Sequence, residues 1–223
     1  MDKSVEGMSV VKDVIVQTRI LELTGGSADR AHIEEAARSL AEGKLVVFPT
    51  ETVYGVGCNA SDRSAVKRLY EIKGRPKDKP LAYYLSSKGD LARYNVVVTP
   101  VAERIMDRFW PGPLTILLAQ VDGKGRIGFR FPVEGNAIAL IEHAGVPVVA
   151  TSANKSGSVS PRSGEEAATA LDGLADVVLK GGATRYRMES TVIDLSGEAP
   201  IILREGVVGR DEIESFLGCA LER

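Results

Sequence analysis

The apolar run Leu45-Val46-Val47-Phe48 passes without a break into Pro49-Thr50-Glu51-Thr52-Val53-Tyr54-Gly55-Val56-Gly57, and this junction constrains the fold more than any other stretch. A short β-branched and aromatic run suits a buried strand, and Pro49 ends it because proline has no N–H to give to a sheet ladder. The hydroxyls of Thr50, Thr52 and Tyr54 and the carboxylate of Glu51 then gather at the C-terminal mouth of that strand, where open α/β sheets bind small ligands. The same residues also suit a capped turn into the next helix, so this segment alone leaves both readings open.

The remaining pattern alternates helix and strand. Ile33, Ala36, Ala37, Leu40 and Ala41 recur at helical spacing between Ser27 and Gly43. Asp62 caps a second helix with Val66, Leu69 and Tyr70 on its buried stripe, ending near Gly74. Strands are predicted at 80–85, 114–119, 127–131, 146–150, 177–179, 191–195 and 201–203. Helices are predicted from Pro100 to Trp110, around 138–145, and at 213–217, with Ser163 and Glu166 as the capping box of another. Arg130 points opposite to Phe129 and Phe131. This predicts one α/β domain with a twisted, mixed sheet flanked by helices. Residues 1–25, with Val10-Val11 and Val14-Ile15-Val16, form an N-terminal arm or an edge strand ahead of a domain over 26–223.

Charge and cysteine content exclude several classes. A formal net charge of −2 argues against nucleic-acid binding by whole-molecule attraction. Cys58 and Cys219 form no CxxC pair and only His32 and His143 could assist them, so neither a zinc site nor a disulfide framework is expected, and the setting is cytoplasmic. No apolar run approaches a membrane span. There is no phosphate-binding Walker loop, and Gly123, Gly125 and Gly128 spell GxGxxG between two strands, which reads as a hairpin turn.

Two loops suit anions. Lys73, Arg75, Lys77 and Lys79 place four cations in seven residues beyond a helix C-terminus, an exposed cluster fitted to a polyphosphate or simply to solvent. The loop Thr151 to Ser160 follows a buried strand with hydroxyl, amide and N–H donors, and reads as an anion or sugar site or a flexible turn.

In order along the chain, PTETVYGVG at 49–57, KGRPKDKPL at 73–81, WPGPLT at 110–115, R-x-P at 130–132, TSAN at 151–154 with Ser160, STV at 190–192 and R-x-G at 204–206 resemble the YrdC family of L-threonylcarbamoyladenylate synthases. Seven ordered motifs over residues 27–206 are far more specific than one. The resemblance implies a YrdC-like fold in its short, single-domain form. It also implies a nucleotidyltransferase reaction: L-threonine, bicarbonate and ATP, with Mg²⁺ on its phosphates, give threonylcarbamoyl-AMP and pyrophosphate. A downstream transferase complex then modifies the tRNA adenosine next to the anticodon. By resemblance, Thr50, Tyr54, Arg130 and Ser190 bind threonine, with Arg130 on its carboxylate. Lys73 and Arg75 act on the reacting phosphates, and Lys77, Ser152, Asn154, Ser160 and Arg204 complete the nucleotide site. Lys79 and Thr115 fix the surrounding structure, and Arg126 stands where a small polar residue is expected, leaving only its backbone for the nucleotide. The alternatives are an RNA-binding module in RNA maturation, or the carbamoyl-adenylate-forming domain of hydrogenase maturation; a tRNA contact is compatible with the main reading.

Overall fold

The computed structural model describes residues 16–221. The apolar run at 10–15 lies outside them; Val16 donates its N–H to the Gly173 carbonyl at 3.0 Å. Among the described residues ten strands form one sheet: β1 (Arg19–Glu22), β2 (Val46–Phe48), β3 (Gly55–Asn59), β4 (Ala82–Tyr84), β5 (Leu114–Ala119), β6 (Arg126–Arg130), β7 (Val148–Ser152), β8 (Val177–Lys180), β9 (Thr191–Asp194) and β10 (Ile201–Arg204). Their spatial order is β1-β8-β2-β3-β7-β4-β6-β5-β9-β10. Parallel pairs (β1 with β8, β4 with β6) occur beside antiparallel ones (β2 with β3, β5 with β6), so the sheet is mixed, as the sequence predicts.

The described residues also form six α-helices, which pack on it: α1 (Ala28–Ala41), α2 (Arg63–Lys73), α3 (Pro100–Phe109), α4 (Gly135–Ala144), α5 (Gly164–Ala170) and α6 (Arg210–Leu217). Period-two alternation sorts the sheet residues between them. Val46, Phe48, Val177 and Leu179 pack with Ile33 and Leu40 of α1 and Leu140 of α4. Their neighbours Val47 and Val178 pack with Leu69 of α2 and Ala167 of α5. In the other half of the sheet, Leu114, Ile116, Leu118, Phe129 and Ile193 bury against Ile105 and Met106 of α3 and Ile213 of α6. The alternate positions there, Thr115, Leu117, Arg126, Gly128, Arg130 and Val192, form the floor of an open cavity. The site therefore lies on the sheet face that α3 and α6 leave bare.

Three expectations are corrected. After the turn at 49–54 the chain does not lead straight to α2; it reverses into β3, antiparallel to β2, with Val46 opposite Gly57 and Phe48 opposite Gly55. Glycine-rich sequence argues against a strand, yet a Cβ on Gly57 would stand 3.0 Å from the Val149 carbonyl and 3.1 Å from Ala150 Cβ, so close strand packing requires the bare backbone. The strand predicted at 146–150 is displaced to Val148–Ser152, which puts Thr151 and Ser152 on β7, paired with Val56 and Gly55. The α5 capping box is only half formed. Ser163 Oγ accepts the Glu166 N–H at 3.3 Å, but the Glu166 carboxylate accepts from Arg162 N at 2.7 Å.

Candidate active site

Asp62 accepts from the N–H groups of Ser64 (2.8 Å) and Ala65 (3.2 Å), fixing the start of α2, and a left-handed Gly74 ends it. Lys73, the last residue of α2, is therefore aimed at the end of β7. Its Nζ donates to the carbonyls of Ser152 and Asn154, both at 2.5 Å, and the Lys73 carbonyl accepts from Ser156 N at 2.8 Å. The sequence places Lys73 on an exposed loop; the structure leaves it 3% exposed. It is buried because the loop after β7 folds over the ammonium. That burial, with Arg75 adding repulsion and Glu189 opposing it, pulls its pKa down to about 8.

Arg75 is held by its own loop, donating through Nε to the Lys79 carbonyl (2.9 Å) and through Nη2 to Pro80 (2.8 Å). Nη1 reaches Thr151 Oγ1 at 3.4 Å. Lys79 and Asp78 also line the cavity, whereas the exposed Lys77 lies outside the lining.

A second group surrounds Arg130, which is buried with Glu51. Nη2 donates to Glu51 Oε1 at 2.7 Å and to Thr52 Oγ1 at 2.9 Å, while Nε has no protein partner. Glu51 Oε2 also accepts from Val133 N at 3.3 Å. Thr50 is not brought to the cavity wall: its hydroxyl donates to the Val53 carbonyl (2.6 Å), closing its own turn, and meets Thr52 Oγ1 (2.9 Å). Tyr54 lines the cavity but has a committed hydroxyl, donating to Gly182 O (2.9 Å) and accepting from Gly181 N (3.1 Å). Burial pushes that phenol up to about 12, so it stays neutral.

The remaining predicted residues form one chain of hydrogen bonds. Ser152 Oγ donates to Asn154 Oδ1 (2.5 Å), and the Asn154 amide donates to the carbonyls of Lys155 (3.0 Å) and Ser158 (2.6 Å). Ser160 Oγ, buried behind the wall, donates to Glu189 Oε1 at 2.6 Å. Glu189 Oε2 meets Arg204 Nη1 at 2.7 Å, and the same guanidinium donates to the Ser190 carbonyl through Nε (3.1 Å) and Nη2 (2.8 Å). Ser190 Oγ pairs with Thr115 Oγ1 at 3.0 Å. Arg126 lines the wall, ion-paired with Asp194.

Lys73, Arg75, Lys79, Arg126, Arg130 and Arg204 thus face one cavity of about 910 Å³, with Asp78 and Glu189 as its carboxylates. Such a surface suits a polyanion larger than a single phosphate. The sequence reading did not assign the roles of Glu189 and of the Glu51–Arg130 pair. Both depend on contacts between distant segments, and no local spacing signals them.

A family model named for Sua5, YciO and YrdC, described as telomere recombination, matches residues 38–206. The chain belongs to the Sua5/YciO/YrdC family. Among its members, a threonylcarbamoyl-AMP synthase of Pyrococcus abyssi is 43% identical over 202 residues, which is 85% of this chain and 59% of the relative. One of Bacillus subtilis is 38% identical over 201 residues, covering 86% of this chain and 58% of the relative. The chain thus spans about three-fifths of the length of these relatives. A crystal structure of P. abyssi Sua5 complexed with L-threonine superposes with a TM-score of 0.84 at 39% identity, over 92% of this chain and 62% of that one. The mixed sheet with its helices is thus the Sua5/YciO/YrdC fold.

Proposed function

We propose that this chain is a threonylcarbamoyl-AMP synthase, a nucleotidyltransferase that joins L-threonine, bicarbonate and ATP. The observation that carries the reading is the convergence of Lys73, Arg75, Ser152, Asn154 and Arg204, from segments far apart in sequence, on the same cavity as Arg130. The names of the P. abyssi and B. subtilis relatives, and the threonine complex of the P. abyssi structure, support it.

In this reading the threonine amine takes up the bicarbonate carbon, with loss of water, to give a carbamate. A carbamate oxygen attacks the α-phosphorus of ATP, the bond to the β-phosphate oxygen breaks, and pyrophosphate leaves. Such a step needs reactants held in line and negative charge stabilised rather than a protein nucleophile. Lys73 and Arg75 hold the reacting phosphates, with Ser152, Asn154 and Arg204 completing the nucleotide site. Arg130, half neutralised by Glu51, receives the threonine carboxylate beside Ser190. Thr50 and Ser160 act from behind the surface, as the supports of the groups that touch substrate, while Tyr54 shapes the pocket wall with its hydroxyl already engaged. Lys77, outside the lining, meets the triphosphate only when ATP extends toward solvent.

Among the described residues no group of three or more histidine, cysteine, aspartate and glutamate side chains is placed to hold a metal. Of the two cavity carboxylates, Glu189 is engaged by Arg204 and Ser160. Mg²⁺ therefore fits as the counter-ion that arrives on ATP, held by phosphate oxygens and water. The product passes to a downstream transferase complex that modifies tRNA beside the anticodon, in the cytoplasm; a direct tRNA contact would come from exposed cations such as Lys77. No helix among the described residues is long and apolar enough to cross a membrane.

The test is pyrophosphate release by the purified chain from ATP and bicarbonate, with each amino acid in turn. Release that requires L-threonine supports the reading, and release with no amino acid, or none at all with L-threonine, overturns it.

A further inference from the structure

Glu189 is a carboxylate on the wall of a cavity otherwise suited to anions, and its backbone is fixed. Its carbonyl accepts from Val207 N at 3.1 Å. The next residue but one, Thr191, accepts through Oγ1 from Gly206 N (2.9 Å) and Val208 N (3.1 Å) and donates to Val208 O (2.6 Å). Segments 189–191 and 206–208 are packed so closely that a Cβ on Gly206 would stand 2.2 Å from the Glu189 carbonyl oxygen. From this anchored position the carboxylate reaches two separate walls, the loop after β7 through Ser160 and β10 through Arg204.

Repulsion between an anionic ligand and a carboxylate at this place would weaken binding unless the carboxylate returned something larger. Arg204 offers the return: its side chain is long and 44% exposed, and without Glu189 only its contacts with Ser190 would hold it. With Nη1 on Glu189 and Nε and Nη2 on the Ser190 carbonyl, the guanidinium is held in one orientation by two consecutive residues. A charge-assisted contact of this kind fixes direction as well as position.

We propose that Glu189 is a positioning residue for the nucleotide site, acting through Arg204 and Ser160 rather than by touching substrate. This rests on the synthase reading of the cavity. Glu189 pre-orients the Arg204 guanidinium and ties β10 to the Ser/Asn loop, so that ATP meets an organised wall.

The experiment measures ATP binding by calorimetry, with Mg²⁺ and without threonine, for the wild type, Glu189→Ala, Glu189→Gln, Arg204→Ala and the double variant Glu189→Ala/Arg204→Ala, with steady-state kinetics alongside. Loss of one charge-assisted hold predicts ATP affinity weakened about tenfold in Glu189→Ala, with Glu189→Gln between it and the wild type. The ATP KM rises in parallel, and the kcat at saturating ATP and the threonine KM stay within about threefold of wild type. Because part of the effect of Glu189 runs through Arg204, the double variant loses less ATP affinity than the two single losses combined. Unchanged or tighter ATP binding by Glu189→Ala overturns the proposal, as does an additive double variant. If Glu189→Ala does not fold, Glu189→Gln decides by the same criterion. A wild type that binds no ATP overturns the synthase reading, and the positioning role with it; a wild type that binds ATP alongside indifferent Glu189 variants sinks the positioning role alone.

Discussion

Arg130 and Glu51 face each other at 2.7 Å with both side chains 3% exposed, so the cation proposed to receive a carboxylate already holds one. An ion pair shielded in this way is costly to break from one side, because the survivor is left as an unpaired buried charge. Glu51→Ala is therefore expected to destabilise the fold by about 3–5 kcal/mol, lowering the thermal midpoint on the order of 10 °C. Thermal unfolding of the purified variant measures this; an unchanged midpoint would mean the pair is solvated.

Arg130→Lys keeps the charge that Glu51 requires and loses the planar fork. The expected outcome is a threonine KM raised about tenfold with the ATP KM unchanged, since a lysine cannot serve Glu51 and a second carboxylate in a bidentate manner. Equal effects on both substrates, seen in initial-rate kinetics, would assign Arg130 to structure alone.

Lys73 titrates near 8, below its ordinary 10.5, because burial disfavours the ammonium. As the pH rises through about 8 the charge is lost, and ATP affinity should fall, read by calorimetry from pH 7 to 9.5. The sign for stability is opposite. Between about 8 and 10.5 the unfolded chain binds the proton that the folded chain has released, so this group's contribution to stability rises with pH over that window. Lys73→Met should abolish both pH effects along with turnover.

Lys73→Ala carries a stability cost that an exposed lysine would not. It strands the carbonyls of Ser152 and Asn154, and each unsatisfied buried acceptor costs about 1–3 kcal/mol where water cannot replace the donor. Denaturant unfolding should show a lower midpoint with an unchanged slope.

Gly206→Ala forces a methyl carbon onto backbone that cannot move aside. The expected cost exceeds about 2 kcal/mol, with ATP affinity lost in step, because the change displaces Glu189. A variant that melts with the wild type and turns over normally would show that the segments at 189–191 and 206–208 have room to separate.

Much of the local structure is legible in the chain itself. Asp62 and Gly74 mark both ends of α2 because capping is decided by neighbouring residues. The strand at Leu114–Ala119 and the hairpin through Gly123 and Gly125 follow from alternation and turn chemistry, which are equally local. β3 is hidden because its glycines serve a neighbouring strand, Val148–Ser152, whose approach no local pattern reveals. The burial of Lys73 is hidden for the same reason: its acceptors come from the end of β7 and the loop after it, far along the chain. Motif resemblance locates Ser160 and Arg204, but the carboxylate that joins them, Glu189, sits just before the STV motif at 190–192 and outside its pattern.

β8 and β9 stand second and ninth across the sheet, and residues 181–190 alone carry the chain from one to the other. It makes this crossing as a loop, with bends at Gly182, Arg185, Tyr186 and Met188 and a positive φ at Arg187. Along the way this segment seats Gly181 and Gly182 on Tyr54, Tyr186 on Glu51 and Glu189 on Arg204. These contacts, rather than tension, set its course. Its anchors therefore decide what can vary: the exposed Arg185 and Met188 can be exchanged, whereas deleting the two residues between Tyr186 and Glu189 would draw the Glu189 carboxylate away from Arg204.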